Sequence, residues 1–235
     1  MDKKVAAIIT AAGKGSRMGQ PISKQFLSLG GKPILYHTVK AFESSGKIAE
    51  IYLIVGYDDI NYCKQKIIYK YGFQKIKKII IGGRERQDSI YNGLKELDTA
   101  VDTVLIHDGV RPFITTELID KIIDELDQEQ AMILAVPAKD TIKLVNQDGY
   151  IKETLDRKKL CLTQTPQGFD YNIIWSAYEK AYNDGYYATD DANLVERMGK
   201  KVKILMGDYE NIKITTMEDL SVAEGILRRR EKSGR

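Results

Sequence analysis

Val5-Ala6-Ala7-Ile8-Ile9-Thr10 carries no charge over six residues and runs straight into Ala11-Ala12-Gly13-Lys14-Gly15-Ser16-Arg17-Met18-Gly19. A strand apolar on both faces belongs inside a sheet that is covered on both sides, and the glycines that follow turn the chain at its end. The same kind of short run recurs at Ile51–Val55, Ile79–Ile81, Thr103–Ile106 and Met132–Val136. Between these runs the apolar period changes from strand to helix. In Ile34–Glu43, Leu35, Val39 and Phe42 share one face; in Glu117–Leu126, Leu118, Ile119, Ile122, Ile123 and Leu126 do. Bare strands alternating with amphipathic helices predict an α/β fold, a mostly parallel twisted sheet with helices on both faces.

After Pro137 the pattern changes. Thr141–Val145 and Tyr150–Thr154 alternate and are polar, and Asn146-Gln147-Asp148-Gly149 between them carries the Asp-Gly turn signal of a hairpin. Such a hairpin cannot bury a core of its own, so it is expected to project as an arm, either solvated or gripping another subunit. Helical periodicity returns at Tyr171–Tyr182 and Asp190–Met198; Val202–Met206 and Ile212–Thr215 read as late strands. A last helix, Glu218–Arg230, follows two capping-box patterns, Thr215-x-x-Glu218 and Thr216-x-x-Asp219. Without an internal repeat or linker, residues 1–235 are expected to form one domain, with the β-arm at about 139–157.

The 235 residues, with 36 Lys+Arg against 33 Asp+Glu, 43% hydrophobic and 29% charged, exclude disorder and collagen-like structure. The longest unbroken apolar run, Ala131 to Val136, is far below the roughly 20 residues of a membrane helix, so no membrane partner is expected. A net charge of +3 is too small to argue for nucleic acid, yet leaves room for small anions held by local cations. Cys63 and Cys161 stand apart with no CxxC, which fits a reducing compartment rather than a disulfide or zinc scaffold. Lys3 and Lys4 before Val5–Ala12 superficially suggest a signal peptide, but eight residues broken by Thr10 and running into glycines are better read as a buried strand. A cytoplasmic location is expected.

Chemistry concentrates after the first strand. Lys14, Arg17 and Lys24 lie within eleven positions of glycine-rich backbone. A dinucleotide GxGxxG would need glycine where Met18 stands, and no Gly-Lys in the chain has Walker A spacing. The loop is either a solvated surface turn or a triphosphate cradle whose cations meet charge developing on phosphorus. Asp108, at the carboxyl edge of a strand, suits a Mg²⁺ ion or caps a helix. Arg111 forks a phosphate, or else pairs with Asp108. Gly82-Gly83-Arg84-Glu85-Arg86-Gln87-Asp88-Ser89 exposes backbone, and Ser89 a hydroxyl, between a strand and a helix. Lys213, mid-strand between Ile212 and Ile214, points away from them, to solvent or to a ligand. His37 and His107 are expected to be structural.

The run A-A-G-x-G-x-R-M-G, with Lys24-Gln25-Phe26 after it, resembles the signature loop of the sugar- and polyol-phosphate nucleotidyltransferases. His107–Phe113, Val136–Thr141, Thr165-Pro166-Gln167, Thr189–Ala192 and Asn211–Thr215 follow in that family's order, and together they resemble its methylerythritol-phosphate cytidylyltransferase branch. Ribitol-5-phosphate cytidylyltransferases, which share most of these blocks, are the second reading. The resemblance implies a Rossmann-like nucleotidyltransferase fold, CTP and a polyol phosphate as substrates, Mg²⁺, and a homodimer with exchanged arms. It implies that Arg17, Lys24, Arg157 and Lys213 are catalytic and that Ala11, Ala12, Gly13, Gly15, Gly83 and Ser89 bind CTP. Asp108, Arg111, Thr141, Thr165 and Thr189 would hold the acceptor, with Asp108 also on the metal and Thr141 and Arg157 supplied by the neighbouring subunit. Arg84 stands where the family often has an acidic residue and receives no role. A nicotinamide dehydrogenase would share the α/β rhythm, but it needs the GxGxxG and an acidic ribose ligand about 20 residues on, and Met18 stands where its last glycine belongs. A non-catalytic nucleotide sensor would not need Arg17, Lys24, Arg111 and Lys213 together.

Overall fold

β1 (Val5–Ala11) is buried along nearly its whole length, the consequence of an uncharged strand with apolar groups on both faces. The structure, a computed structural model, describes residues 3–13 and 22–233, so Gly15 and Arg17 lie outside the described residues. After β1 come the short pair β2 (Ser28–Leu29) and β3 (Lys32–Pro33), α1 (Ile34–Ser44) and β4 (Ile48–Val55). Then follow α2 (Ile60–Tyr62), continued by a π-helical stretch over Cys63–Tyr69, β5 (Ile76–Ile81), α3 (Arg86–Lys95) and β6 (Thr103–Asp108). The second half supplies α4 (Thr116–Glu125), β7 (Ala131–Pro137), β8 (Lys143–Val145), β9 (Ile151–Thr154) and β10 (Cys161–Asp170). It closes with α5 (Tyr171–Asn183), α6 (Asp191–Arg197), β11 (Lys203–Met206) and α7 (Met217–Ser233).

Among the described residues the main sheet has seven strands in the order β11-β7-β10-β6-β1-β4-β5. All neighbours pair in parallel except β10, which is antiparallel to both β6 and β7. Val5, Ala7 and Ile9 pack with Leu35, Val39 and Phe42 of α1 and with Ile119 and Ile122 of α4. Ala6 and Ile8 point to the opposite layer, among Ile90 and Leu94 of α3 and Ile174 and Tyr178 of α5. Helices on both faces match the expected α/β architecture. A third apolar cluster seats α7 through Ala223 and Ile226 on Leu29, Val110 and Ile214.

The sheet departs from the sequence reading in two places. β10 is a full strand, although Thr163-Gln164-Thr165-Pro166-Gln167-Gly168 shows neither alternation nor an apolar run. Gly168 is needed there because a Cβ would lie 2.5 Å from a Leu126 methyl and 2.7 Å from one of Leu105. Ile212–Thr215 joins no ladder: the Ile214 N–H donates to Val110 O at 2.9 Å, and Asn211 O accepts from the Arg111 guanidinium rather than from a strand. The alternation inferred there holds, with Ile214 buried and Lys213 facing the other way. Only the Thr216-x-x-Asp219 half of the two capping patterns is a reciprocal box: Asp219 accepts from the Thr216 N–H and its own N–H donates to Thr216 Oγ1.

The hairpin is present as β8 and β9, a separate two-stranded sheet exposed along both strands. Its turn closes where Asn146 N–H donates to Tyr150 O, and Gly149 takes φ +83°, a value that glycine adopts without Cβ strain.

Candidate active site

In the chain, β1 leads through β4 to β5 at one edge, and the next strand, β6, pairs on the other side of β1. The order therefore reverses between β1 and β6, and the crevice beyond their carboxyl ends is where open α/β sheets bind ligands. Two adjoining pockets occupy it. One, of about 220 Å³, is lined by Ala11, Ala12 and Gly13 from the end of β1, by Lys24, and by Gly83 and Ser89 across the crevice. The other, of about 280 Å³, is lined by Arg111, Thr165 and Thr189, with Gln164 and Asp190 beside them. Arg86, Asp108 and Lys213 line both, so the two pockets share a charged wall.

Close packing shapes the first pocket. Gln25 Nε2 donates to Ala11 O at 2.6 Å, which ties the turn opened by Lys24 to the end of β1. A Cβ on Gly82 would fall 2.3 Å from that of Ala12, so the strand ends can approach only with glycine there. Gly83 N–H donates to Ser89 Oγ at 3.0 Å, and Ser89 Oγ in turn donates to Glu85 O at 3.0 Å. Glu85 and Asp88 form a capping box at the start of α3. The loop thus enters its helix with its own donors partly satisfied and with Gly83 lining the cavity.

Asp108 is the centre of the shared wall. Arg86 Nε lies 3.3 Å from its Oδ1, while Lys213 Nζ at 2.9 Å and Arg111 Nε at 3.5 Å approach Oδ2. Burial pushes the Asp108 carboxyl up, but these three cations outweigh it and hold it well below the usual carboxylate range. Arg86 is held from the far side by Asp191, at 2.8 Å, and Asp191 accepts from the Tyr178 hydroxyl at 2.6 Å. Three cations against two carboxylates leave the wall net positive, the sign an anionic ligand needs. Of the two readings of Arg111, the structure shows the pairing with Asp108, and one N–H of each terminal nitrogen donates to a carbonyl, Asn211 O at 2.8 Å and Thr163 O at 3.4 Å.

Thr165 locks this carboxylate's backbone. It accepts from Asp108 N–H at 3.1 Å; Arg111 O, 3.3 Å from His107 Nε2, can only accept, which assigns the proton of the neutral ring to Nε2 and makes Thr165 the donor to His107 Nδ1 at 3.0 Å. His107 is fully buried against Phe42, and burial lowers its pKa to about 3. It is structural, as expected, and with both nitrogens engaged it is no general base. Because the unfolded ring protonates near pH 6.5 and the folded one does not, stability is expected to fall as pH drops from 6.5 towards 3, by about 2 kcal/mol at pH 5. His37, also lowered by burial, adds with the same sign. Urea titrations at pH 5 to 7 check this: His107→Asn should flatten the slope by close to one proton, and an unchanged slope would place its source elsewhere.

The donor set does not suit a protein-held divalent ion. No cluster of three or more His, Cys, Asp or Glu occurs among the described residues, and Asp108 already has three cationic groups on its two oxygens. The expectation of Asp108 as a Mg²⁺ ligand therefore conflicts with its surroundings.

A sequence profile described as "IspD: 2-C-methyl-D-erythritol 4-phosphate cytidylyltransferase" matches residues 5–229. The chain belongs to this cytidylyltransferase family. Within the family it is 50% identical over 228 residues to the 2-C-methyl-D-erythritol 4-phosphate cytidylyltransferase of Alkaliphilus metalliredigens, covering 97% of this chain and 95% of that one. It is 50% identical over 222 residues to the enzyme of the same name from Clostridioides difficile, covering 94% and 93%. The crystal structure of 4-diphosphocytidyl-2C-methyl-D-erythritol synthase from Anaerococcus prevotii superposes with a TM-score of 0.87 at 39% identity, covering 97% of each chain.

Of the positions singled out by the family's motifs, Ala11, Ala12, Gly13, Lys24, Gly83, Ser89, Asp108 and Lys213 meet around the first pocket, and Arg111, Thr165 and Thr189 around the second. Thr141 and Arg157 line neither. Arg157 is exposed on a short helical turn after the arm, donating to Lys139 O at 2.7 Å. Arg86 and Asp191 were not recognised as site residues in the sequence. Arg86 had a usable signal, a cation three residues after the Gly82-Gly83 turn at the end of a strand; Asp191 stands inside the Thr189–Ala192 block, but its pairing with Arg86, 105 residues away, has no signal along the chain.

Proposed function

We propose that this chain transfers CMP from CTP to 2-C-methyl-D-erythritol 4-phosphate, giving CDP-methylerythritol and pyrophosphate. The observation that carries the reading is the pair of pockets sharing the wall of Arg86, Asp108 and Lys213 at the sheet's switch point. The nucleotide occupies the pocket of Ala11–Gly13, Gly83 and Ser89, and the acceptor phosphate that of Arg111, Thr165 and Thr189. The acceptor is a phosphate monoester with a second pKa near 6, so it arrives largely dianionic and needs no base. The obstacle is repulsion between that dianion and the triphosphate. Lys24 and Arg17 stabilise charge on the α-phosphate, while Lys213 steadies the incoming phosphate from the shared wall. Mg²⁺ enters as part of the nucleotide substrate, on its phosphate oxygens.

The acceptor site is completed by the arm of a second copy. This reading is supported by Leu144, Val145, Tyr150 and Ile151, apolar yet exposed on the arm, and by Thr141 and Arg157 lining neither of their own chain's two pockets. A cytoplasmic location accords with a CTP-using enzyme. Among the described residues no helix is long and apolar enough to cross a membrane.

Incubation with CTP and Mg²⁺ and either methylerythritol 4-phosphate or ribitol 5-phosphate, followed by phosphorus NMR, tests the assignment. Methylerythritol 4-phosphate is expected to release pyrophosphate with a kcat/KM at least about tenfold higher. Preference for ribitol 5-phosphate, or no pyrophosphate with either, would overturn it.

A further inference from the structure

Tyr182 and Tyr187, at the end of α5 and in the segment beyond it, belong to neither pocket of the shared wall, yet both hydroxyls donate to one oxygen of Asp88. Tyr182 does so at 2.5 Å and Tyr187 at 3.1 Å. Asp88 uses its other oxygen to accept the Glu85 N–H at 3.0 Å, inside the loop that lines the nucleotide pocket. The carbon skeleton of Asp88 also supports the loop: a Cβ on Gly83 would sit 2.3 Å from the Asp88 Cβ, so Gly83 lies directly against it. The neighbouring Gln87 fastens the same segment by its backbone, donating from Nε2 to Tyr186 O at 3.0 Å and accepting the Ala188 N–H at 2.9 Å. Residues 186–188 are thus strapped across the start of α3 by both main-chain and side-chain bonds.

Tyr187 is 56% exposed; its ring meets that of Tyr182 edge-on with centroids 6.4 Å apart, and its hydroxyl bonds to Asp88. Tyr182 is stacked on Tyr91 with centroids 4.5 Å apart, which fixes the direction of its hydroxyl. Burial pushes the Asp88 carboxyl up, but the two phenols and the Glu85 N–H outweigh it and keep it ionised as their acceptor. A tyrosine holds such a bond at low entropic cost, because it has few rotatable bonds to freeze.

We propose that Tyr182 and Tyr187 are positioning residues that, through Asp88, hold the loop 82–85 in its nucleotide-binding shape. This rests on the reading that the loop binds the nucleotide. A loop that lines a binding pocket gains affinity by being ordered beforehand, and loses it when it must be ordered on binding. Removing the phenols should therefore raise the concentration of CTP required and leave the reacting groups as they were.

The test is Tyr182→Phe, Tyr187→Phe and the double variant, which keep the rings and remove only the hydroxyls. Hydrogen exchange of the amides of residues 83–85 is measured without nucleotide, and steady-state kinetics with CTP varied. In the double variant exchange is expected to accelerate, and the KM for CTP to rise about tenfold with kcat within about twofold of the parent. Each single variant should show a smaller rise. A purely structural role would lower the melting temperature without changing either the exchange of residues 83–85 or the KM for CTP, and that result overturns the proposal. Unchanged exchange shows that the phenols do not hold the loop and overturns it as well. Faster exchange with an unchanged KM for CTP leaves the latch standing but shows that the loop does not bind nucleotide, so that the pocket assignment fails instead.

Discussion

Lys24→Ala is expected to lower kcat by about 10²-fold or more while the protein stays folded. Lys24 opens the turn that Gln25 anchors to Ala11 O, and its Cε lies 3.9 Å from the place a Cβ on Gly13 would occupy. Its charge is therefore held beside the backbone cradle at the end of β1, in the pocket that also contains Gly83 and Ser89. In a transfer between two anions, a cation placed where charge grows on phosphorus acts in the transition state more than in the ground state, which makes kcat the sensitive parameter. Losing one such contact corresponds to roughly 3 kcal/mol. Arg17→Ala should behave similarly. Thermal melts matching the parent, with kcat measured at saturating CTP, make the check; turnover within a few-fold of the parent would remove Lys24 from transition-state stabilisation.

Arg157→Ala is expected to disable the partner's site and spare its own, whereas Lys24→Ala disables only its own. Arg157 lies beyond the hairpin, exposed and bonded to Lys139 O, and neither it nor Thr141 lines the pocket of its own chain. Mixing the two inactive variants under conditions of random subunit exchange makes half the dimers mixed. Each mixed dimer has one site with both residues intact, so about one quarter of all sites should recover activity. If Arg157 served its own chain, every site would remain damaged. Verified exchange without recovery would therefore sink the arm-in-trans reading.

Short-range pattern alone carried the layered architecture. Val5–Thr10 and its companions have no polar face, so each must be covered twice, and only helices flanking a sheet do this. The hairpin was legible for the same kind of reason, since Asp148-Gly149 and alternating polar flanks are local signals. So were the glycine turn with Lys24 and the cap at Thr216-x-x-Asp219.

What pattern could not show is what depends on distant residues. β10 runs antiparallel with Gln164 and Thr165 at an irregularity, and its strand state comes from pairing with β6 and β7 rather than from its own composition. Ile212–Thr215 has strand-like alternation but found no strand to pair with, because its backbone meets Val110 and Arg111 instead. The sequence left Asp108 open between capping and metal binding, and Arg111 between a phosphate and Asp108. Tertiary structure placed Arg86, Arg111 and Lys213 around Asp108, and with them the balance of charge that separates a metal ligand from a carboxylate orienting cations. Local propensity is written along the chain, but a charge's surroundings are set by residues about 100 positions apart, and only folding brings them within 4 Å.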